Sequence, residues 1–231
     1  MPSTTPAHPS ATQTPALFWG LLGVLITLAL IPTLWPWLDI AGAALFYGSS
    51  AAIHSENWWW VKLINDYTPA VLRTVALLAF LAWLWATLRP TYQHWRLPLA
   101  FVVLASLLGP GAVVNEGFKD NWQRARPWQV QEFGGTQQFT RAAVMTDQCD
   151  NNCSFVSGHV ACGFFLAGMM LVHRRRKVAW AVGGTAAGWV IGFSRMSDHA
   201  HWFSDVLWAG PITLMTSWLV WKGLLWAYRV K

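Results

Sequence analysis

Three short polar stretches interrupt a chain that is otherwise mostly apolar: KDNWQRARP at 119–127, SFVSGH at 154–159 and SRMSDHAHWFSD at 194–205. Lys119 and Arg126 are seven positions apart, about two helical turns, which puts them on one helix face. Pro127 disfavours a helical Arg126, so the helix is expected to end there. Arg195 adds a third fixed cation. Ser157 and Gly158 stand at the start of an apolar run, where the free N–H groups and dipole of a helix N-terminus favour an anion. Gly158 lets the backbone come close to a ligand. Three cations, a hydroxyl and a helix N-terminus describe an oxyanion site. Phosphate is its natural occupant, because the arginine fork matches phosphate oxygens.

The third stretch also carries a nucleophile or base. His201 and Asp205 are four apart, a spacing that stacks them on one helix face. A carboxylate there can accept Nδ1–H, fix the tautomer and leave Nε2 as an outward lone pair. His159 arrives from another segment and can supply an acid.

These stretches need elements that bring them to one place. The chain has 231 residues, of which 55% are hydrophobic and 11% charged, too apolar and too clustered for a soluble domain. Runs able to cross a bilayer need about 20 residues. Six candidates lie at roughly 16–38, 68–88, 97–117, 158–173, 178–194 and 205–228, which predicts an all-α membrane protein of six transmembrane helices. Residues 1–15 read as a disordered tail and 16–231 as one membrane domain. The first run has no basic residues before it, so it is expected to be a retained helix rather than a cleaved signal; AGA at 41–43 keeps cleavage as the alternative. Many tryptophans (Trp35, Trp37, Trp58 to Trp60, Trp122, Trp128, Trp202 and Trp226) fall at the ends of apolar runs, as an interfacial belt requires.

Alternation of six helices sorts the charges. One face receives Arg89, Arg96, Arg174, Arg175, Arg176, Lys177, Lys222, Arg229 and Lys231, nine bases and no acid. The positive-inside rule makes that face cytoplasmic and places both termini there, with all three polar stretches at the outer face of a bacterial inner membrane. The net charge of +6 is then topology rather than a nucleic-acid footprint. Cys149 and Cys153 in QCDNNC lie on the outer side, where an oxidising compartment lets them pair; two free thiols or a metal site are the alternatives, and the lack of histidine at ligand spacing makes zinc the weakest. Cys162 reads as a small apolar filler.

Lys119 to Pro127 reads K-x6-R-P, Ser157 to His159 reads S-G-H, and Ser194 to Asp205 reads S-R-x5-H-x3-D. All three blocks, in this order, resemble the signature of the type 2 phosphatidic acid phosphatase superfamily, in its integral-membrane branch. Val156 departs from the family pattern, which has proline before Ser-Gly-His. The resemblance implies that Lys119, Arg126, Arg195, Ser157 and the Gly158 amide bind phosphoryl oxygens. It implies that His201 attacks phosphorus to form a phosphohistidine, that Asp205 orients His201, and that His159 protonates the leaving oxygen. No metal or other cofactor is implied.

The partners implied are a membrane lipid substrate and the bilayer. Family members of this kind act on lipid A phosphates, undecaprenyl diphosphate, phosphatidylglycerol phosphate or phosphatidic acid. A phosphotransferase using the same phosphohistidine is one alternative. A transporter with a polar vestibule is another, though transporters place ionisable groups near the bilayer midplane. Plainer readings apply elsewhere. Arg124 and Arg141 read as interfacial anchors, and His54, His94 and His173 as hydrogen-bonded spacers. Trp58 to Trp60 read as an interfacial helix or a lipid-facing rim, and Asp198 and His199 as loop residues. A metal held by Asp198, His199, His201 and Asp205 is the minor reading, since three cations would crowd a divalent ion.

Overall fold

The computed structural model describes residues 13–47 and 53–228. Residues 1–12 of the expected tail lie outside the described residues, as do Arg229 and Lys231. Thr14, within that tail, is tied down: its hydroxyl accepts the Trp218 indole N–H at 3.0 Å.

The regular structure among the described residues is helical, apart from one isolated β-bridge between Val130 and Gln137, and residues 134–157 run as turns and irregular backbone. Helix α1 spans Ala16–Leu34 and α2 spans Trp37–Ala44. Pro36 stands between them and breaks what the sequence suggested was one run to 38. Helix α3 spans Trp59–Leu88. It starts nine residues before the expected span and takes in Trp59 and Trp60. The polar first turns of α3 hid this, because Asn65 faces a neighbouring helix instead of lipid. Helix α4 starts as an α-helix over Arg96–Ser106, continues as a π-helix over Leu107–Lys119, and closes with the turn Asp120–Trp122. Pro110 lies near the start of the wide winding; it has no N–H for an i→i−4 bond, and such stretches often mark functional sites. Helices α5 (Gly158–Gly168), α6 (Lys177–Ser197) and α7 (Phe203–Ala227) complete the bundle.

Ala16–Leu34, Trp59–Leu88 and Pro90–Lys119 are long and apolar enough to cross a membrane. Gly158–Leu171 is apolar but shorter. Leu77, Leu78, Leu81, Leu84, Trp85 and Leu88 give α3 an exposed apolar face, as lipid contact requires. Inside, Phe18, Leu25, Phe101, Phe164, Phe165 and Leu214 form the core.

Helices α5 and α6 pack through small residues. A Cβ at Gly163 would stand 2.7 Å from the Gly188 nitrogen, so only glycine permits this approach. The tight antiparallel pair sets the start of α5 beside the end of α6. The end of α4 and the start of α7 come to the same side, so four helix ends meet there.

Candidate active site

The first motif block is built differently from the sequence expectation. The helix stops at Trp122, and Gln123 takes a left-handed conformation at φ 47°. Arg126 therefore follows in extended backbone, at φ −79° and ψ 160°, and does not share a helix face with Lys119. The two cations still converge, through the loop between the cysteines. Lys119 Nζ donates to Asn152 Oδ1 at 3.1 Å. Arg126 donates to the Asn152 carbonyl from Nε at 3.0 Å and from Nη2 at 2.6 Å. Cys149 and Cys153 are bonded sulfur to sulfur, with Cα atoms 5.7 Å apart, and so close the short loop that carries Asn152. Burial and then the Arg195 charge push the Arg126 guanidinium below its ordinary value, against smaller pulls from Asp205 and Asp198. An arriving anion would relieve that pressure.

Ser157 is the N-cap residue of α5. Its Oγ is buried and has no hydrogen-bond partner among the described residues, as does Arg195 Nε. Both are hydrogen-bond donors, and both belong to the motif blocks. Arg195 also pairs with Asp198 at 3.0 Å. Gly158 has a second reason to be glycine, since a Cβ there would collide with the Asn115 amide. Its smallness serves the packing of α5 on the π-helical part of α4.

His201 is 2% exposed. Its Nδ1–H donates to the Ser154 carbonyl at 2.8 Å, while Asp205 Oδ2 stands 3.7 Å from Nδ1. The expected direct bond from His201 to Asp205 is thus replaced by a relay. Ser154 holds the ring through its carbonyl, and its hydroxyl donates a short hydrogen bond to Asp205 Oδ2. A carbonyl can only accept, so this contact selects the tautomer with Nδ1 protonated and Nε2 left as the lone pair. Burial, then the charges of Arg126, Arg195 and Lys119, hold His201 well below the usual imidazole range, so the ring is neutral.

His159 sits one residue into α5, with Nε2 3.1 Å from the Asn65 carbonyl. Arg195, Lys119 and Arg126 are its charged neighbours. The second and third blocks also touch through their backbones, as Ser157 N–H reaches the Asp205 carbonyl at 3.4 Å. Lys119, Arg126, Ser157, Gly158, His159, Arg195, His201 and Asp205 therefore gather around one location.

The sequence reading missed the support beneath this location. Arg124, expected at the interface, has no exposed surface. Its Nη1 donates to Asp205 Oδ1 at 2.6 Å and to Ser204 Oγ at 2.8 Å. Its Nη2 donates to Asp39 Oδ2 at 2.8 Å, and its Nε to the Thr140 carbonyl at 2.8 Å. Asp39, from α2, also accepts the Ser204 amide at 2.8 Å and the Ser204 hydroxyl at 2.6 Å. Burial raises the Asp39 carboxyl above its ordinary value; Arg124 opposes this and Asp205 adds to it. Asp205 also accepts the Trp202 amide at 2.9 Å, capping α7. Trp202, expected in an interfacial belt, is buried, and its indole N–H donates to the Ala125 carbonyl at 2.8 Å. The sequence signal available was a lone acid, Asp39, in an apolar run, since a buried charge needs a partner.

The SDHAH histidines have separate partners. His199, at φ 52°, places Nε2 3.0 Å from the Phe46 carbonyl and its ring 4.0 Å from that of Tyr47. Among the described residues, no group of three His, Cys, Asp or Glu side chains stands where it could hold a metal ion.

A lipid A 4'-phosphatase of Francisella tularensis subsp. novicida (strain U112) is 33% identical to this chain over 197 residues, covering 81% of this chain and 86% of the relative. A protein of the same name from Rhizobium leguminosarum is 35% identical over 119 residues, 51% of each. No solved structure matches the chain. The sequence model of the PAP2 superfamily matches residues 98–229, a span that holds all three motif blocks and the four helix ends around them. The chain belongs to the PAP2 superfamily.

Proposed function

We propose that this protein is a membrane lipid phosphatase that removes a phosphomonoester from a lipid headgroup, with the 4'-phosphate of lipid A as its substrate. The observation that carries this reading is the 33% identity to a lipid A 4'-phosphatase over most of both chains. Six helices cross the membrane in this reading. Helices α6 and α7, at 21 and 25 residues, have the necessary length, and the first three spans are the long apolar helices. The base-only segments face the cytoplasm of a bacterial inner membrane with both termini, and the site opens to the periplasm.

The chemistry follows from the tautomer. Lys119, Arg126, Arg195, the Ser157 hydroxyl and the Gly158 amide hold the phosphoryl oxygens and stabilise their charge in the transition state. His201 Nε2 attacks phosphorus, forming an N–P bond as the bond to the leaving oxygen breaks. His159 gives that oxygen a proton, and the lipid departs as an alcohol. Water then attacks the phosphohistidine, loses a proton to His159, and inorganic phosphate leaves as the N–P bond breaks. The Arg124, Asp39, Ser204 and Asp205 network fixes the Ser154 segment that holds His201. No metal enters this scheme, because the fixed cations supply the positive charge.

The test is phosphate release by purified protein in detergent on a panel: 4'-phosphorylated lipid A, undecaprenyl diphosphate and phosphatidylglycerol phosphate. The expected result is the highest kcat/KM on lipid A, with His201→Ala reduced to background. A higher value on another lipid would overturn the substrate, and equal release by His201→Ala would overturn the mechanism.

A further inference from the structure

Asn65 lies in α3, outside the region that matches the family. Pro69 stands four residues after it. In an α-helix the amide of residue 69 would bond the carbonyl of residue 65, but proline has no N–H to give. In a membrane helix such a freed carbonyl is satisfied by a neighbour. Here the neighbour is His159, with Nε2 3.1 Å from the Asn65 oxygen. The Asn65 side chain meanwhile reaches α6. Its Oδ1 accepts the Ser194 hydroxyl, and its Nδ2 donates to the Ser194 carbonyl at 3.4 Å. Ser194 precedes Arg195, so one residue of α3 is joined to both the second and the third motif blocks.

We propose that Asn65 and Pro69 are positioning residues for His159: Pro69 frees the Asn65 carbonyl, that carbonyl holds Nε2–H, and Nδ1 is the nitrogen that delivers and recovers the proton. This rests on the reading of His159 as the acid–base group. A carbonyl can only accept, so it selects the Nε2–H form and fixes the ring about its last torsion. The charged groups near His159 are the cations Arg195, Lys119 and Arg126, none of which can accept a hydrogen bond; His201 is also close, and its Nε2 is the lone pair kept for phosphorus. The ring enters the first half-reaction as the imidazolium, its second proton taken up at Nδ1 as the phosphate anion arrives. Nδ1–H then passes that proton to the leaving oxygen as the P–O bond breaks and the His201 N–P bond forms, leaving the neutral Nε2–H ring. In the second, Nδ1 takes a proton from the water whose oxygen bonds to phosphorus as the N–P bond breaks. Nε2–H is unchanged throughout.

Pro69→Ala in the full chain tests this. The restored amide at position 69 competes for the Asn65 carbonyl along the helix axis and weakens its hold on His159. Removing proline from a helix interior does not itself weaken the helix, and thermal unfolding in detergent checks that the fold is kept. Turnover of an alkyl phosphomonoester, which needs an acid, is expected to fall about five- to tenfold, the worth of one hydrogen bond. p-Nitrophenyl phosphate, with a good leaving group, is expected to change by less than about twofold, since general-acid assistance matters little to it. KM is unchanged in both cases. Nitrogen-15 NMR of histidine-labelled wild-type protein needs no variant, and is expected to show neutral His159 protonated at Nε2. Equal loss on both substrates, no loss on either, or a neutral ring protonated at Nδ1 instead of Nε2 would overturn the proposal. His159→Ala, run in parallel, separates the two levels. If His159→Ala shows no leaving-group dependence, the acid–base reading itself fails. If it does and Pro69→Ala does not, only the positioning role fails.

Discussion

Arg124 separates two physical pictures by a wide margin of free energy. As an exposed interfacial anchor its ion pairs would contribute about 0–1 kcal/mol. In the structure its side chain and those of Asp39 and Asp205 have no exposed surface, and the two carboxylates bind separate nitrogens of one guanidinium at 2.8 and 2.6 Å. Arg124→Met removes the only cation paired with either carboxylate among the described residues, and water cannot replace it. Stripping one partner from a buried pair costs about 3–5 kcal/mol. One guanidinium serving two carboxylates puts the expected loss near the upper end, about 5 kcal/mol. That approaches the whole stability of many proteins, about 5–15 kcal/mol. Arg124→Lys keeps a charge but loses the fork, and each charge-assisted bond it fails to remake costs about 1.5–3 kcal/mol. Adding Asp39→Asn to Arg124→Met removes one unpaired charge, so the double variant is expected to be more stable than Arg124→Met alone, with a coupling of about 2 kcal/mol. Reversible unfolding in mixed micelles, followed by tryptophan fluorescence, measures all of these. An Arg124→Met protein within about 0.5 kcal/mol of its parent, the range of ordinary surface substitutions, would refute the buried network.

Other outcomes follow from the same geometry. His201 must be neutral to attack, and its folded-state value lies below the ordinary imidazole value of 6.5; activity that depends on it is therefore retained as pH falls through 6.5 and is lost only further down. The acid limb of kcat/KM is expected well below pH 6.5, and Arg126→Gln, which removes one of the charges acting on the ring, moves it upward; a wild-type limb at or above 6.5 contradicts this. Alkylation of unreduced protein is expected to label neither Cys149 nor Cys153, and replacing both with serine raises KM several-fold by releasing Asn152 from Lys119 and Arg126, while closure of so short a loop contributes only about 2 kcal/mol. Full activity survives excess EDTA and vanadate inhibits; a loss that Mg²⁺ or Zn²⁺ restores would favour a metal in SDHAH. A reporter after Lys231 reads cytoplasm and one near Gln137 reads periplasm, and the reverse overturns the proposed topology.

The parts of this structure legible in the sequence are those with a local cause. An apolar run states its own need for burial or lipid, so the bodies of the helices could be placed from composition, but not the break at Pro36 or the start of α3. The polar blocks state their chemistry by residue type, so Lys119, Arg126, Ser157, Arg195, His159 and His201 could be gathered before any contact was known. What could not be read was decided by distant partners. Arg124 and Arg126 are the same residue type two positions apart. The left-handed turn at Gln123 and the buried acids 85 and 81 positions away send one inward, while the other turns to Asn152. The start of α3 was hidden for a related reason. Asn65 and Pro69 look like interruptions until Ser194 and His159 are seen to use the side chain of one and the carbonyl that the other frees. Asp39 and Asn65 both lie outside the 98–229 region that carries the family match, yet each bonds a residue of a motif block or the arginine beside it. The family blocks thus name the groups proposed to touch phosphate, and the elements that hold those groups come from elsewhere in the chain. Their signal is the same in both cases: a polar residue in an apolar helix, whose cost can be met only by a partner that the sequence does not name.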